Sequence, residues 1–189
     1  MPLSLLNTPI LTERLLLRAF VAGDAADLAA LAGDKRVADT MISLPHPYTL
    51  DYAQSWIELC HEQARTGKAV HFALIAHQGG ELLGAAGIRA IELEHEQAEL
   101  SFWLGHAWWG QGLATEATGR LLELAFTRLG LNRIYAYQMA RNSRSAGVLR
   151  RIGMRREGLL RQRVKKWGQF EDVYLWAEVR QDWAAEREG

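Results

Sequence analysis

Gly105-His-Ala-Trp-Trp-Gly110-Gln-Gly112-Leu-Ala114-Thr115 follows one periodic segment, Ala98 to Leu104, and opens another. The first segment reads as a strand. From about Gly112, Leu113, Ala117, Leu121, Leu124 and Leu129 recur at helical spacing, and Gly130 is the expected stop. A further strand is expected from Arg133 to Met139. A strand, a long helix and a strand need a crossover, so the two strands should be parallel and the crossover right-handed. Small residues at 110, 112 and 114 let backbone N–H groups approach a ligand with no side chain between. The start of a helix adds unpaired N–H groups and partial positive charge, a combination that suits a diphosphate. The run is neither a Walker loop, which ends in Gly-Lys-Ser/Thr, nor a six-residue dinucleotide fingerprint. A lone Gly-x-Gly is usually just a tight turn; its place on a strand-to-helix turn gives it weight.

Outward from this run, Leu15 to Phe20 reads as a buried strand, and Asp24 as the cap of a short helix through Ala32. Leu44-Pro-His-Pro-Tyr48 is a loop. Asp51 to Thr66 is a helix carrying Trp56, Leu59, Cys60 and Gln63 at helical spacing. His71 to Ala76 and Leu82 to Ile88 form a strand pair around Gln78-Gly79-Gly80. Ser143 to Ile152 is a helix ended by Gly153, and Leu159 to Trp176 a hairpin turning near Trp167-Gly168. The expected order is β-α-α-β-β-β-α-β-α-β-β, with no internal repeat, low-complexity tract or linker.

The 189 residues fit one domain, 1–189 with a core of about 11–178. Lys plus Arg and Asp plus Glu are 22 each, and that zero balance argues against nucleic acid as the main partner. Cys60 has no second cysteine to pair with, so a reducing, cytoplasmic home is expected, with Cys60 packed rather than reactive. Met1 to Phe20 has no long apolar run, so neither a signal peptide nor a membrane span is expected there. The histidines show no metal-ligand spacing, and His71 and His106 read as structural or rim residues.

Trp108-Trp-Gly-Gln-Gly-Leu-Ala-Thr-Glu-Ala117 is similar to the coenzyme A pyrophosphate loop of GNAT acetyltransferases, in their RimJ/RimL-like branch. Three further segments agree, in order: Leu11-Thr-Glu-Arg-Leu-Leu-Leu-Arg18, Asn142-Ser-Arg-Ser145 with Leu149 to Met154, and Gly168-Gln-Phe-Glu-Asp-Val-Tyr174. Trp109 stands where the superfamily has Gln or Arg, which removes a side-chain phosphate contact and leaves the loop. The resemblance implies a mixed α/β domain: a mostly antiparallel sheet, one splayed parallel pair and flanking helices. It implies that acetyl-CoA binds with its pantetheine arm along Phe102, Trp103 and Leu104. Its diphosphate would sit on the amides of Trp109, Gly110, Gln111, Gly112, Leu113, Ala114 and Thr115. An amine would attack the thioester directly, with no covalent enzyme intermediate and no metal.

Such a reaction needs a base for an ammonium and an acid for a leaving thiolate. Glu99 shares a strand face with Ser101 and Trp103, opposite Ala98, Leu100, Phe102 and Leu104. It reads as that base, as a binder of the substrate ammonium, or as a solvated charge in the acidic run Glu92, Glu94, Glu96 and Glu99. Ser145 resembles a serine near the thiol in this branch and is the candidate acid; a polar residue in a first helical turn is the plainer account. Asn142 caps the helix, contacts the pantetheine by resemblance, or does both. Asp172 orients the substrate amine or pairs with an arginine. Arg141 to Lys166 holds ten Lys or Arg against one acid, Glu157, enough for solvated faces and for a residue or two at the 3′-phosphate.

The acceptor is expected to be a protein N-terminal α-amine, with a polyamine, aminoglycoside or amino-acid derivative as the small-amine alternative. A coenzyme A-binding sensor without turnover is the contrasting class; Glu99 and Ser145 favour an enzyme, since a pure binder needs neither. Thr40 to Tyr48 and the following helix should line the acceptor site. A homo-oligomer is compatible with the sequence, which carries no signal for one.

Overall fold

Ala98 to Leu104 is the middle of one sheet in the computed structural model, which describes residues 8–188; the 1–189 domain reading extends past them to residues 1–7 and Gly189. The strands are β1 (Ile10–Leu11), β2 (Leu15–Ala19), β3 (Val70–Ala76), β4 (Leu82–Glu92), β5 (Gln97–Leu104), β6 (Arg133–Met139), β7 (Arg155–Lys166) and β8 (Gln169–Val179). The helices are α1 (Ala25–Ala32), α2 (Lys35–Thr40), α3 (Leu50–Arg65), α4 (Leu113–Thr127), α5 (Ser143–Arg151) and α6 (Arg180–Glu188). The sheet order is β1-β2-β3-β4-β5-β6-β8-β7. Every neighbouring pair is antiparallel except β5 and β6, which are parallel, as their crossover requires.

Side-chain alternation in β5 divides the core. Ala98, Leu100 and Leu104 pack with Leu113, Ala117, Leu121 and Leu124 of α4, whereas Trp103 points to the other face and packs with α1 and α3 through Leu28, Ala53 and Ile57. Leu121 and Leu124 are almost fully buried, so truncating either to alanine costs about 2–5 kcal/mol. Among the described residues no helix is long and apolar enough to cross a membrane.

The parallel pair is short. It joins Gln97 to Arg133, Ala98 to Ile134 and Glu99 to Tyr135, and then stops. Past that point β5 still follows β4 as far as Leu104 opposite Gly84, and β6 follows β8 as far as Met139 opposite Val173. Each strand is thus held by its outer neighbour while the inner edges part, and a wedge opens between them.

Several local expectations change. Asp24 does not cap α1: its carboxylate takes a fork from Arg18 at 2.7 Å on each oxygen and accepts from the Val21 N–H at 2.8 Å. Helix α4 ends at Thr127, before Gly130, whose φ of 67° serves the turn into β6. Three elements go beyond the expected order. Helix α2 has six residues, opened by Asp34, whose side chain accepts from the Arg36 N–H. Strand β1 has two residues, too few to show a period, and α6 is charged along most of its length. Strand β7 starts at Arg155 rather than Leu159 because an exposed edge strand needs no alternation.

Candidate active site

The wedge is the floor of a cavity of about 710 Å³. One end is walled by the α4 start and α5, the other by the loop of residues 40–45, Tyr48 and the first turns of α3.

At the first end Gly110 and Gly112 take φ of 77° and 81°, the left-handed region where a Cβ is strained. Gly112 is the N-cap of α4 and offers no side chain to its first N–H groups. Leu113, Ala114 and Thr115 line the cavity with Trp109, Gly110 and Gly112, while Gln111 turns away and donates its Nε2 to the Ala107 carbonyl at 3.0 Å. Trp109 fixes the loop as well as lining the cavity, since its indole N–H donates to the Leu104 carbonyl at 2.8 Å. Arg144, Arg150 and Arg151 bring positive charge from α5. Left-handed glycines, an uncapped helix start and three guanidinium groups fit the diphosphate and 3′-phosphate of coenzyme A.

A clamp from the start of the chain holds this loop. Arg14 donates from Nη1 to the Gln111 carbonyl at 2.8 Å and from Nε to Glu116 at 2.7 Å. The Arg14 N–H and the Thr12 hydroxyl share the other Glu116 oxygen, at 2.7 and 2.6 Å. Burial pushes the Glu116 carboxyl up, but these donors outweigh it and hold the group below its usual range. The clamp joins residues some hundred positions apart, so spacing could not reveal it; the only sign in the sequence is an unexplained Thr-x-Arg in a segment resembling the family.

Glu99 lies where the strands part. It is 8% exposed, lines the cavity, and accepts from Arg89 Nη2 at 2.5 Å. It is therefore not a solvated charge of the acidic run. Ser101, Trp103, His71, Trp56 and Tyr137 share this region of the lining. His71 makes a 3.1 Å contact from Nε2 to Gln63 Oε1; burial first, and the Arg89 charge second, push it down to about 4, so it is neutral at physiological pH. Phe102 and Leu104 also line the wedge. Beyond Glu99, alternate β5 residues turn N–H and C=O toward the side β6 has left, which is how a strand edge holds an extended chain.

Asn142 and Ser145 come together at the start of α5 and line the cavity. Asn142 Oδ1 accepts from the Ser145 N–H at 3.1 Å, the cap role, and its Nδ2 donates to the Thr40 carbonyl at 3.3 Å. Gln138, unremarked in the sequence, is buried below them: it donates to the Asn142 carbonyl at 3.0 Å and accepts from the Trp176 indole at 3.1 Å. Asp172 is outside the cavity lining; it accepts from the Gln162 N–H at 2.8 Å and holds the irregular part of β7. Part of the basic stretch is engaged structurally: Arg141 with Asp39 and Glu171, Arg155 with Asp182, and buried Lys166 with the Leu44 carbonyl at 2.8 Å. Burial raises the Cys60 thiol to about 12, which makes it inert.

A family model described as an acetyltransferase (GNAT) domain matches residues 14–155. An uncharacterized N-acetyltransferase, p20, of Bacillus licheniformis is 33% identical over 173 residues, 92% of this chain and 97% of that one. A ribosomal protein uS5-alanine N-acetyltransferase of Escherichia coli (strain K12) is 27% identical over 140 residues, 72% of each chain. The crystal structure of a spermidine N-acetyltransferase from Vibrio cholerae, in complex with CoA and spermine, has the same fold. Its TM-score is 0.79 at 22% identity, covering 92% of this chain and 99% of that one.

Proposed function

The chain belongs to the GNAT acetyltransferase family, and from that premise we propose that it moves the acetyl group of acetyl-CoA to the α-amine of a protein or peptide N-terminus. The observation that carries the proposal is the wedge. It joins an anion-binding helix start to a pocket holding a carboxylate, which a direct transfer between two bound partners needs.

Acetyl-CoA supplies an activated acyl group; the chain supplies position and proton traffic. The amides of Trp109 to Thr115, with the α5 arginines, hold the phosphates, and the free edge of β5 lines up the arm. Glu99 draws in the substrate ammonium and accepts, directly or through water, the proton that must leave before the nitrogen lone pair can attack. As the new C–N bond forms and the C–S bond breaks, the electron pair leaves with the sulfur, to which Ser145 gives a hydrogen bond. The second proton of the nitrogen passes to that thiolate, so the products are a neutral amide and the free thiol of CoA. Asn142 holds Ser145 in place through the cap.

Charge favours an α-amine over a polyamine. Among the described lining residues Glu99 is the one carboxylate, and Arg89 already pairs with it, so a second ammonium group finds no counter-ion. The uS5-alanine relative points the same way. A thiol-release assay with acetyl-CoA across alanyl peptides, spermidine and an aminoglycoside tests the reading. Faster release with the peptides supports it, and faster release with spermidine reverses it.

A further inference from the structure

We infer that Arg89 reads an oxygen adjacent to the acceptor amine, so that the pocket selects an α-aminoacyl unit over an amine of similar shape with no such oxygen. The inference rests on the function proposed above and narrows it.

Arg89 sits directly across β4 and β5 from Glu99, which in turn sits across from Tyr135 at the parting of the strands. The cation is thus placed beside the expected position of the amine. A guanidinium carries five N–H donors, and Arg89 gives Glu99 one of them, from Nη2. Its Nε is buried with no hydrogen-bond partner among the described residues. The arginines that serve structure behave differently. Arg18 makes a two-point fork on Asp24, Arg133 makes one on Glu157, and Arg141 bridges Asp39 and Glu171. Arg89 has a side chain 36% exposed and borders the cavity, so the terminal N–H donors beyond the one given to Glu99 are not spent on the fold.

Neutral His71 adds no second charge here. The acceptor end therefore displays one anion and one cation, 2.5 Å apart. An α-amino-acid unit has the matching pair: an ammonium for Glu99 and, three bonds away, a carbonyl or carboxylate oxygen for Arg89. An oxygen-free amine brings only positive charge, which Glu99 attracts and Arg89 repels. A charge-assisted hydrogen bond of about 1.5–3 kcal/mol corresponds to roughly 10–100-fold in affinity.

The test is equilibrium binding to the CoA-saturated protein, read by the fluorescence of Trp56 and Trp103, which line the pocket. The ligands are alanylalanine amide, free L-alanine and isopropylamine, which keeps the alanine carbons apart from the carbonyl. The wild type should bind the peptide about tenfold or more tighter than isopropylamine. Arg89→Gln should erase that difference by weakening the peptide while isopropylamine, freed of the repulsion, binds no worse or tighter, and Arg89→Lys should restore part of it. Tighter binding of the peptide than of free alanine fits an N-terminus as the source of the oxygen; the reverse fits a free amino acid. Equal wild-type affinity for peptide and isopropylamine, no binding of either, or an equal loss of both in Arg89→Gln would overturn the inference. Failure of the transfer reaction shows separately, as a bound peptide that releases no thiol from acetyl-CoA.

Discussion

Glu99 of β5 and Tyr135 of β6 are the last residues that the parallel pair holds in register. A carboxylate fixed there faces a cavity whose walls diverge from that point onward. It also has a rigid strand on either side, which suits a group that must meet a substrate in one geometry.

Replacing Glu99 with Gln should lower kcat by roughly 10²-fold, the usual range for acid–base groups, and leave acetyl-CoA affinity nearly unchanged. The deficit should shrink as pH rises past the α-amine value of about 8, because the acceptor then arrives deprotonated. Steady-state kinetics from pH 6.5 to 9.5 give the check. A loss confined to the acceptor KM, with kcat unchanged, would move Glu99 from base to ammonium binder.

The Ser145 and Asn142 variants should separate. Ser145→Ala should cost about tenfold in kcat, since one hydrogen bond to developing charge is worth about 1.5 kcal/mol or more. Asn142→Ala should raise the KM for acetyl-CoA and remove a cap worth about 1 kcal/mol, or about 2–4 °C in Tm for a chain of this length. Equal kcat losses with no change in Tm would contradict these assignments.

Loop geometry makes a third case. Gly112→Val places a branched side chain at φ 81°, with its Cβ 3.4 Å from Arg14 Nη2. Calorimetry should show acetyl-CoA affinity falling severely while circular dichroism stays that of a folded protein. Arg14→Ala unpins Gln111 and one oxygen of Glu116 without entering the cavity, so it should weaken acetyl-CoA by a smaller factor, about 2–5-fold for lost charge-assisted bonds on an exposed side chain. An unchanged affinity in both folded variants would move the phosphates elsewhere.

A fourth case is stability. Glu178 is 2% exposed, and among the described residues neither carboxylate oxygen has a side-chain hydrogen-bond partner. Burial, followed by the Glu186 charge, raises it to about 7, with Arg155 opposing and Asp182 adding. A carboxyl raised on folding gives stability that is fully present below its unfolded value of about 4.3 and is lost as pH rises through its folded value. Glu178→Gln should therefore raise Tm by about 2–4 °C at pH 8, the shift expected for about 1 kcal/mol, and by little near pH 4.5. A Tm gain equal at both pH values would mean that the carboxylate charge is not the cause.

Patterns local in the chain were legible. The β5–α4–β6 unit, its parallel pairing, the glycine turn and the Asn142 cap all follow from residues within a few turns of one another. The splay followed from the family resemblance. The Arg14–Glu116 clamp and the Arg89–Glu99 pair were not legible, because sheet register and N-terminal docking create them. Asp24 shows the limit in reverse: its spacing suits a helix cap, but Arg18, one strand length away, offers a two-point fork that wins the carboxylate. Strand β7, exposed and basic, lacked the alternation that marks a half-buried strand.

The most direct test is mass spectrometry of a peptide with an N-terminal alanine and an internal lysine, incubated with the protein and acetyl-CoA. The account predicts one acetyl group, on the α-amine, formed by the wild type and not by Gly112→Val. Acetylation of the lysine alone, or an unmodified peptide although acetyl-CoA binds, would contradict it.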